Sequence, residues 1–164
     1  YTLGATANAN WIFYRLTDVL LMKAEAMCMI GTDLQGAFAL VKAVNERANA
    51  YAKESEKLPD SRASNKDELE GLILRERNRE FFGEGKRWFD LVRYAMRKGE
   101  MDGPTKAFEI FGKKFLGTQA STAKNKYKQS MKVMYSPYAE SEMKANPELV
   151  QNPIWDDQST IQKK

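Results

Sequence analysis

The segment that most constrains the fold is residues 72–95, LILRERNREFFGEGKRWFDLVRYA. At 100° per residue, the core-facing side of its first helix carries three apolar residues: Leu69, Leu72 and Ile73. The same side carries three carboxylates: Glu76, Glu80 and Glu84. A buried carboxylate is costly unless a cation or a strong hydrogen-bond donor pairs with it. The pattern therefore predicts a partly buried network of glutamates and arginines.

Cations for such a network are close in the sequence: Arg75, Arg77, Arg79, Arg87 and Arg93. We expect two helices, over residues 67–82 and 86–97, that meet at a joint relaxed by Gly83 and Gly85 and covered by Trp88 and Phe89. Phe81 falls at the edge of the buried side and Phe82 opposite to it. Arg15, at the start of an earlier helix, is a further candidate partner for Glu76 or Glu80.

Two other interpretations of this segment remain open. It could be a solvated charged helix with ordinary pairs four residues apart, although solvated faces seldom interleave Trp, Phe and Leu at helical spacing. Two of the glutamates could instead act as acid and base. The adjacent arginines argue against that role, because they keep carboxylates ionised. We interpret the segment as architectural.

Composition places the chain among globular proteins and narrows its chemistry. Its 164 residues, 43% apolar and 29% charged, suit one domain with a useful core. Histidine, the commonest general base and metal ligand, is absent. Cys28 lies in an apolar run, where a buried, inert thiol is expected. We find no catalytic constellation, metal cluster or cofactor loop, and we expect no cofactor.

Two more helices are expected before the central segment, over residues 12–30 and 34–50. In the first, the inner positions are Phe13, Leu16, Leu20, Ala24, Met27 and Cys28, while Arg15, Asp18 and Glu25 mark the polar side. In the second, the inner positions are Ala37, Leu40, Val41, Val44 and Ala48. Gly31 should end the first helix, and Thr32 or Asp33 should cap the second. The result is an alanine-rich antiparallel hairpin that resembles one tetratricopeptide-type repeat.

The remainder, residues 98–164, is predicted to be loop-rich. Residues 105–116 are ambiguous between a short helix and strands, residues 117–129 should form a polar loop, and residues 131–135 a short strand. One helical turn is expected over 141–144. Trp155 is expected to dock on the body from a C-terminal tail. We expect the whole chain to be a single all-α domain.

Three separated stretches resemble one family, the SusD/RagB outer-membrane nutrient-binding lipoproteins of Bacteroidetes. WIFYRLTDVLLMKAEAM with VKAVNERA is similar to the family's "yRlaDvLLmyAEA" and "lN.vRaRA". ILRERNREFFGEGKRWFDLVRYA resembles "i..ERr.Efa.Eg.RwfDLvRwg", and SPYAESEMKANPELVQNP resembles "yPIPqsEi.aNp.l.QNp". Ala139 departs from the second proline of the last motif, which should make that loop less rigid. Phe82-Gly83 stands where Ala-Phe is usual.

The resemblance implies the C-terminal portion of a family member, with tetratricopeptide-like hairpins and a more irregular ligand-facing region. Such proteins bind oligosaccharides or other nutrients at the outer-membrane surface and pair with a TonB-dependent, SusC-like β-barrel transporter. They are not enzymes, and a lipid at an upstream cysteine anchors them to the membrane. The chain opens on YTLGATANANW without an initiator methionine, so we expect a processed product or part of a longer protein.

The ligand-binding residues are not predicted. The aromatic residues on which a sugar could stack are Trp11, Tyr14, Trp88, Tyr94, Tyr135, Tyr138 and Trp155, with Tyr14, Trp88 and Tyr94 more typical of packing. One alternative function is a helical module that binds proteins through its hairpin. Nucleic-acid binding through the lysines of residues 106–132 is disfavoured by a net charge of only +4.

Overall fold

The structure, a computed structural model, describes residues 13–51, 53, 58–59, 65–114, 117–128, 130–152 and 154–155. Within these ranges it holds seven α-helices, two short 3-10 helices and no strand, so the predicted all-α class is confirmed. The chain divides into two compact units, one up to Arg87 and one from Trp88 onward. The single-domain organisation stays a prediction. None of the helices in the described ranges combines the length and the apolar character needed to span a membrane.

The first unit is built from three helices: α1 (Leu16–Ile30), α2 (Leu34–Ala48) and α3 (Lys66–Glu80). Gly31 ends α1 with φ 82°, a left-handed conformation that glycine adopts without strain. Asp33 then caps α2, its side chain accepting a hydrogen bond from the Gly36 N–H at 2.7 Å. The predicted hairpin is confirmed, with helix ends shifted by a few residues. Asn65 caps α3 in the same way.

The core of the first unit lies where these three helices pack together. Its buried apolar residues are Leu21, Ala24, Cys28, Ala37, Phe38, Val41, Val44, Leu69, Leu72, Ile73 and Phe81. The prediction was wrong for Phe13, Leu16 and Ala48, which are exposed, and it missed Leu21 and Phe38. It also placed Asp18 and Glu25 on the polar side, although both are buried. Asp18 is tolerated there because cations from elsewhere in the unit pair with it.

The second unit contains α4 (Arg87–Lys98, which begins at the boundary), α5 (Gly103–Phe111), α6 (Gly117–Tyr127) and α7 (Glu140–Ala145). Short 3-10 helices cover Gly112–Lys114 and Met131–Met134. Its core is formed by Leu91, Ala95, Ala107, Val133 and Met134. Gly103 lies so close to the Ala95 carbonyl that a Cβ at position 103 would overlap it, which explains the glycine. Trp155 packs against this core, as predicted.

Two predictions for this unit were wrong. Residues 117–129 were predicted to be a loop, but they contain α6. This helix has no buried residues, so its sequence shows no apolar period that would have indicated a helix. Its last residue, Tyr127, packs on Phe108 and Phe111 with ring centroids 5.2 and 5.3 Å away. Residues 131–135, predicted to be a strand, contain the 3-10 helix Met131–Met134 instead. The run was misleading because Val133 and Met134 are adjacent and both buried.

Replacing Ala139 by proline should stabilise the protein. Ala139 precedes α7 with φ −64° and ψ 144°, and proline fixes φ near the same value. The substitution should raise the unfolding free energy by about 0.4–1 kcal/mol, because it restricts the unfolded chain. Urea denaturation measures the change. Ala139→Gly is the matched control and should have the opposite sign; a destabilising Ala139→Pro would contradict the loop geometry.

Candidate functional site

The residues that sequence reasoning singled out form a network of ion pairs inside the first unit. At its centre Arg77 Nη1 donates to Asp18 Oδ1 at 2.9 Å, and both side chains are almost fully buried, 3% and 2% exposed. Lys86 Nζ pairs with the other oxygen of Asp18. Two cations from the segment around the glycine joint therefore compensate one buried carboxylate on α1.

A second part of the network connects the start of α1 to the end of α3. The guanidinium of Arg15 donates to the Glu80 carboxylate and to its backbone carbonyl, and its Nη2 reaches Glu84 Oε1 at 2.8 Å. Arg47 of α2 pairs with the same Glu80 oxygen. The predicted pairing of Arg15 with a glutamate of this helix is confirmed. All three helices thus converge on Glu80.

The ring of Phe81 lies among the cations of this network. Arg15, Arg77 and Lys86 place their charged groups 4.7, 4.9 and 4.9 Å from its centroid. A cation over an aromatic face is attracted by the ring quadrupole, and the attraction grows when water is excluded. Phe81 is buried while its neighbour Phe82 is 90% exposed, which confirms the predicted orientation of the pair.

The joint between α3 and α4 has the predicted glycine geometry. Gly83 and Gly85 have φ of 81° and 72°, in the region where other residues are strained. The chain can therefore turn sharply enough after Phe81 to bring Lys86 back to Asp18. Phe89, expected to cover the joint, is instead 66% exposed, so that expectation was wrong. Trp88 belongs to the second core, where its indole donates to the Met134 carbonyl at 2.9 Å.

The pKa shifts of Asp18 and Glu80 favour the charged form of both carboxylates. Burial would by itself raise the pKa of Asp18, but hydrogen bonds from Lys86 and Arg77 outweigh it, and the pKa is lowered. Burial would likewise raise the pKa of Glu80. Hydrogen bonds from Arg15 and Arg47 outweigh this effect, so the pKa of Glu80 is also lowered. General acid chemistry needs carboxyl pKa values raised toward neutrality. The pKa values of Asp18 and Glu80 are lowered instead, as is usual for carboxylates in structural ion pairs.

Sequence reasoning missed several partners of the network. Glu76 accepts a hydrogen bond from Asn45 Nδ2 at 2.9 Å, and Glu80 pairs with Arg47. Asn45 is a polar residue on the buried side of α2 and Arg47 is exposed, so apolar periodicity marked neither of them. Of the arginines proposed as partners, Arg77 and Arg79 pair with Asp18 and Glu76. Arg93 instead pairs with Asp90 of α4 at 2.6 Å.

The candidate aromatic residues have different environments. Trp11 lies outside the described residues. Tyr14 is exposed, with Lys86 Nζ 5.3 Å from its ring. Tyr94 packs against the second core. Trp155 has Lys126 Nζ 3.7 Å from its ring centroid. Tyr135 and Tyr138, which are 47% and 50% exposed, line an open cleft.

This cleft, which we call the tyrosine cleft, lies in the second unit and has a volume of about 500 Å³. It is lined by Lys132, Tyr135, Ser136, Tyr138, Val150, Gln151 and Asn152. Polar atoms are available in it, since neither the hydroxyls of Tyr135, Ser136 and Tyr138 nor the Lys132 ammonium bonds to any residue in the described part of the chain. Such a mixture of aromatic faces and hydrogen-bonding groups suits a polar ligand with apolar faces.

The walls of the tyrosine cleft are joined by side-chain to backbone hydrogen bonds. The Gln151 amide pairs with both backbone groups of Tyr138, accepting from its N–H at 3.0 Å and donating to its carbonyl at 3.1 Å. Asn152 Nδ2 donates to the Lys132 carbonyl at 2.9 Å, and Trp155 Nε1 to the Tyr135 carbonyl at 2.8 Å. These bonds fix the irregular segment that carries the two tyrosines.

A second cleft, of about 340 Å³, lies in the first unit between the start of α1 and α2. Its charged lining consists of Arg15 and Arg47, both paired with Glu80. Both arginines are already engaged by Glu80, whereas the hydroxyls and the ammonium of the tyrosine cleft bond to no described residue, so this cleft offers less to a ligand. Across the described residues, no group of three His, Cys, Asp or Glu side chains could hold a metal ion.

Comparison with known proteins places the chain in a family. A model of the SusD family, which includes RagB, matches residues 2–155. The chain belongs to the SusD family. SusD-like protein P38 of Formosa agariphila is 41% identical over 87 residues, 52% of this chain and 17% of that protein. SusD-like protein P2 of the same organism is 34% identical over 101 residues, 62% of this chain and 20% of that protein. No solved structure gives a significant match.

The matches to curated relatives cover only part of the length of those proteins. The chain spans about a fifth of the length of the curated relatives that it matches. The family match itself reaches both compact units, because it includes the ion-pair network and the segment that forms the tyrosine cleft.

Arg15→Ala should destabilise the SusD-family chain strongly. It removes hydrogen bonds to Glu80 and Glu84 and leaves a carboxylate that is only 7% exposed with one fewer partner. We expect a loss of about 2–3 kcal/mol in unfolding free energy. Lys144→Ala, which breaks the fully solvated pair with Glu140, is the control and should leave the melting temperature unchanged. Equal melting temperatures for Arg15→Ala and wild type would contradict the network.

Stability should fall in acid because of Asp18 and Glu80. Their folded pKa values lie below the ordinary 3.8 and 4.5, so their contribution is complete above those values. It is lost as the pH drops through the folded pKa values, because the unfolded chain then binds protons that the folded chain excludes. Urea denaturation from about pH 7 to about pH 3 measures this. Glu80→Gln should show a shallower acid slope than wild type, whereas identical slopes would exclude Glu80 as a source.

Proposed function

We propose that this chain is the C-terminal part of a SusD-type lipoprotein that binds an oligosaccharide or another nutrient at the outer-membrane surface. The bound nutrient would pass to a TonB-dependent, SusC-like β-barrel transporter. The observation that carries the proposal is the SusD-family match, which spans residues 2–155. In this proposal a lipid anchor supplies the contact of the full-length protein with the membrane.

The described geometry supports binding without turnover. The Asp18 and Glu80 carboxylates pair with arginines and a lysine that lower their pKa values, so they act as structural charges. The tyrosine cleft offers aromatic faces and hydrogen-bonding groups, the chemistry of reversible sugar capture. A binding protein that releases its cargo to a transporter needs such moderate, reversible contacts.

A test in the native bacterium addresses the proposal directly. The full-length protein should be labelled at the surface of intact cells by a membrane-impermeant reagent, and it should co-purify with a β-barrel transporter. Deleting its gene should slow growth on one polysaccharide while growth on the monosaccharide of that polysaccharide is unchanged. Equal growth of deletion strain and wild type on every polysaccharide of a broad panel, with no barrel in the purified material, would refute the proposal.

The alternative is a module that binds proteins through its helical hairpin. The outward side of α1 favours it, because that side is apolar and exposed at Leu16, Val19 and Ile30. This alternative predicts that Leu16→Lys abolishes co-purification of a protein other than a transporter and leaves growth on polysaccharides unaffected. Transporter co-purification and glycan binding that both survive Leu16→Lys would favour the nutrient-binding function.

A further inference from the structure

We propose that the tyrosine cleft binds an anionic sugar unit, one that carries a carboxylate or a sulfate. Tyr135 and Tyr138 would contact the apolar face of the sugar ring, and Lys132 would pair with its anionic group. The inference rests on the proposed nutrient-binding function and deepens it by naming the residues and the charge of the ligand.

The aromatic residues of the cleft are half-exposed on a fixed frame. About half of each tyrosine side chain is open to solvent, although Tyr138 is anchored at both backbone groups by Gln151. The Tyr135 carbonyl accepts from the Trp155 indole. A backbone held in this way loses little conformational freedom when a ligand arrives, so more of the contact energy appears as affinity.

The two rings match the chemistry of a sugar. A pyranose exposes C–H groups on its faces and hydroxyls around its edge. An aromatic ring contacts such a face well, while the Tyr135, Tyr138 and Ser136 hydroxyls are available to the edge. A purely apolar ligand would leave these hydroxyls without partners, which is unfavourable.

The charge of the cleft selects the class of sugar. Among the described residues that line it, Lys132 alone carries a charge, and none is a carboxylate. The segment around it is also basic, since residues 106–132 contain seven lysines and a single acid, Glu109. An anion would therefore be attracted to this cleft and would meet an ammonium that has no partner among the described residues.

The cleft in the first unit differs from the tyrosine cleft in how its cations are paired. Its arginines, Arg15 and Arg47, both pair with Glu80, and Arg15 also pairs with Glu84, so each is already engaged by a carboxylate. Among the described residues, no carboxylate pairs with Lys132 in the tyrosine cleft. The two clefts therefore differ in electrostatics, and this difference points to the tyrosine cleft as the anion site.

Isothermal titration of the 164-residue chain tests the inference with three probes: oligogalacturonate, a carrageenan oligosaccharide and a neutral galactan oligosaccharide. The first carries carboxylates, the second sulfates and the third neither. At least one anionic probe should bind about tenfold more tightly than the neutral one at low salt, and the difference should shrink at high salt. Comparing the two anionic probes distinguishes a carboxylate from a sulfate ligand.

Variants assign the binding to the cleft. Tyr138→Ala should lower the affinity for the anionic probe about tenfold. Lys132→Gln should lower it about fivefold and reduce its dependence on salt. Tyr51→Ala, at a fully exposed tyrosine of the first unit, and Lys144→Gln, at an exposed lysine outside the cleft, are matched controls that should bind as wild type does. Unchanged melting temperatures verify that all four variants are folded.

Each result separates this inference from the proposed function. Anionic binding that neither Tyr138→Ala nor Lys132→Gln weakens would overturn the site and leave the nutrient-binding function standing. Equal affinity for neutral and anionic probes would overturn the anionic specificity alone. No binding of any of the three probes overturns the inference, while surface location, transporter co-purification and growth of the deletion strain judge the proposed function independently.

Discussion

The buried pair of Arg77 and Asp18 is the interaction on which the first unit depends. Both side chains lie almost entirely out of water, where an unpaired charge would cost several kcal/mol, on the order of 3–5. Lys86 completes the compensation from beyond the glycine joint, and Phe81 lies among the three cations. The pair therefore ties α1 to α3 and also fixes where the chain must go after α3 ends. It explains why charged residues interrupt the apolar stripe of a core helix.

The sequence was most informative where periodicity and charge disagreed. The apolar stripe of α3 predicted that Glu76 and Glu80 are buried, and the cost of burial predicted that cations meet them. It could not name Arg47 among those cations, because Arg47 comes near Glu80 only when α2 packs against α3. Asp18 was misplaced for the same reason. Its surroundings on α1 are mixed, and its partners lie 59 and 68 residues away.

The second unit was harder to predict because its order does not come from periodic burial. Helix α6 buries no side chain fully, and the 3-10 helix buries two adjacent residues, so neither gives a helical or a strand period. Hydrogen bonds from Gln151, Asn152 and Trp155 to the backbone hold the segment that carries Tyr135 and Tyr138. The sequence named both tyrosines among its aromatic candidates. It could not separate them from the others, because exposure and a shared cleft are tertiary properties.

The two units thus combine different strategies in one SusD-family chain. In the first unit, buried charges specify how three helices pack. In the second unit, the Gln151 amide and the Trp155 indole bond to the backbone of an irregular surface segment. An irregular surface is a good place for a ligand site, since its side chains need not satisfy a helical packing pattern. A rigid frame beneath it limits the entropy lost on binding.

The central claim is that the ligand binds to the second unit while the first unit is architectural. Amide hydrogen exchange on the full chain, with and without the tightest-binding anionic oligosaccharide, tests this claim most directly. The account predicts slower exchange on binding at residues 132–138 and 150–152, with exchange in α1, α2 and α3 unchanged. Protection confined to the helical hairpin, with the tyrosine segment unaffected, would contradict the account and move the ligand site to the first unit.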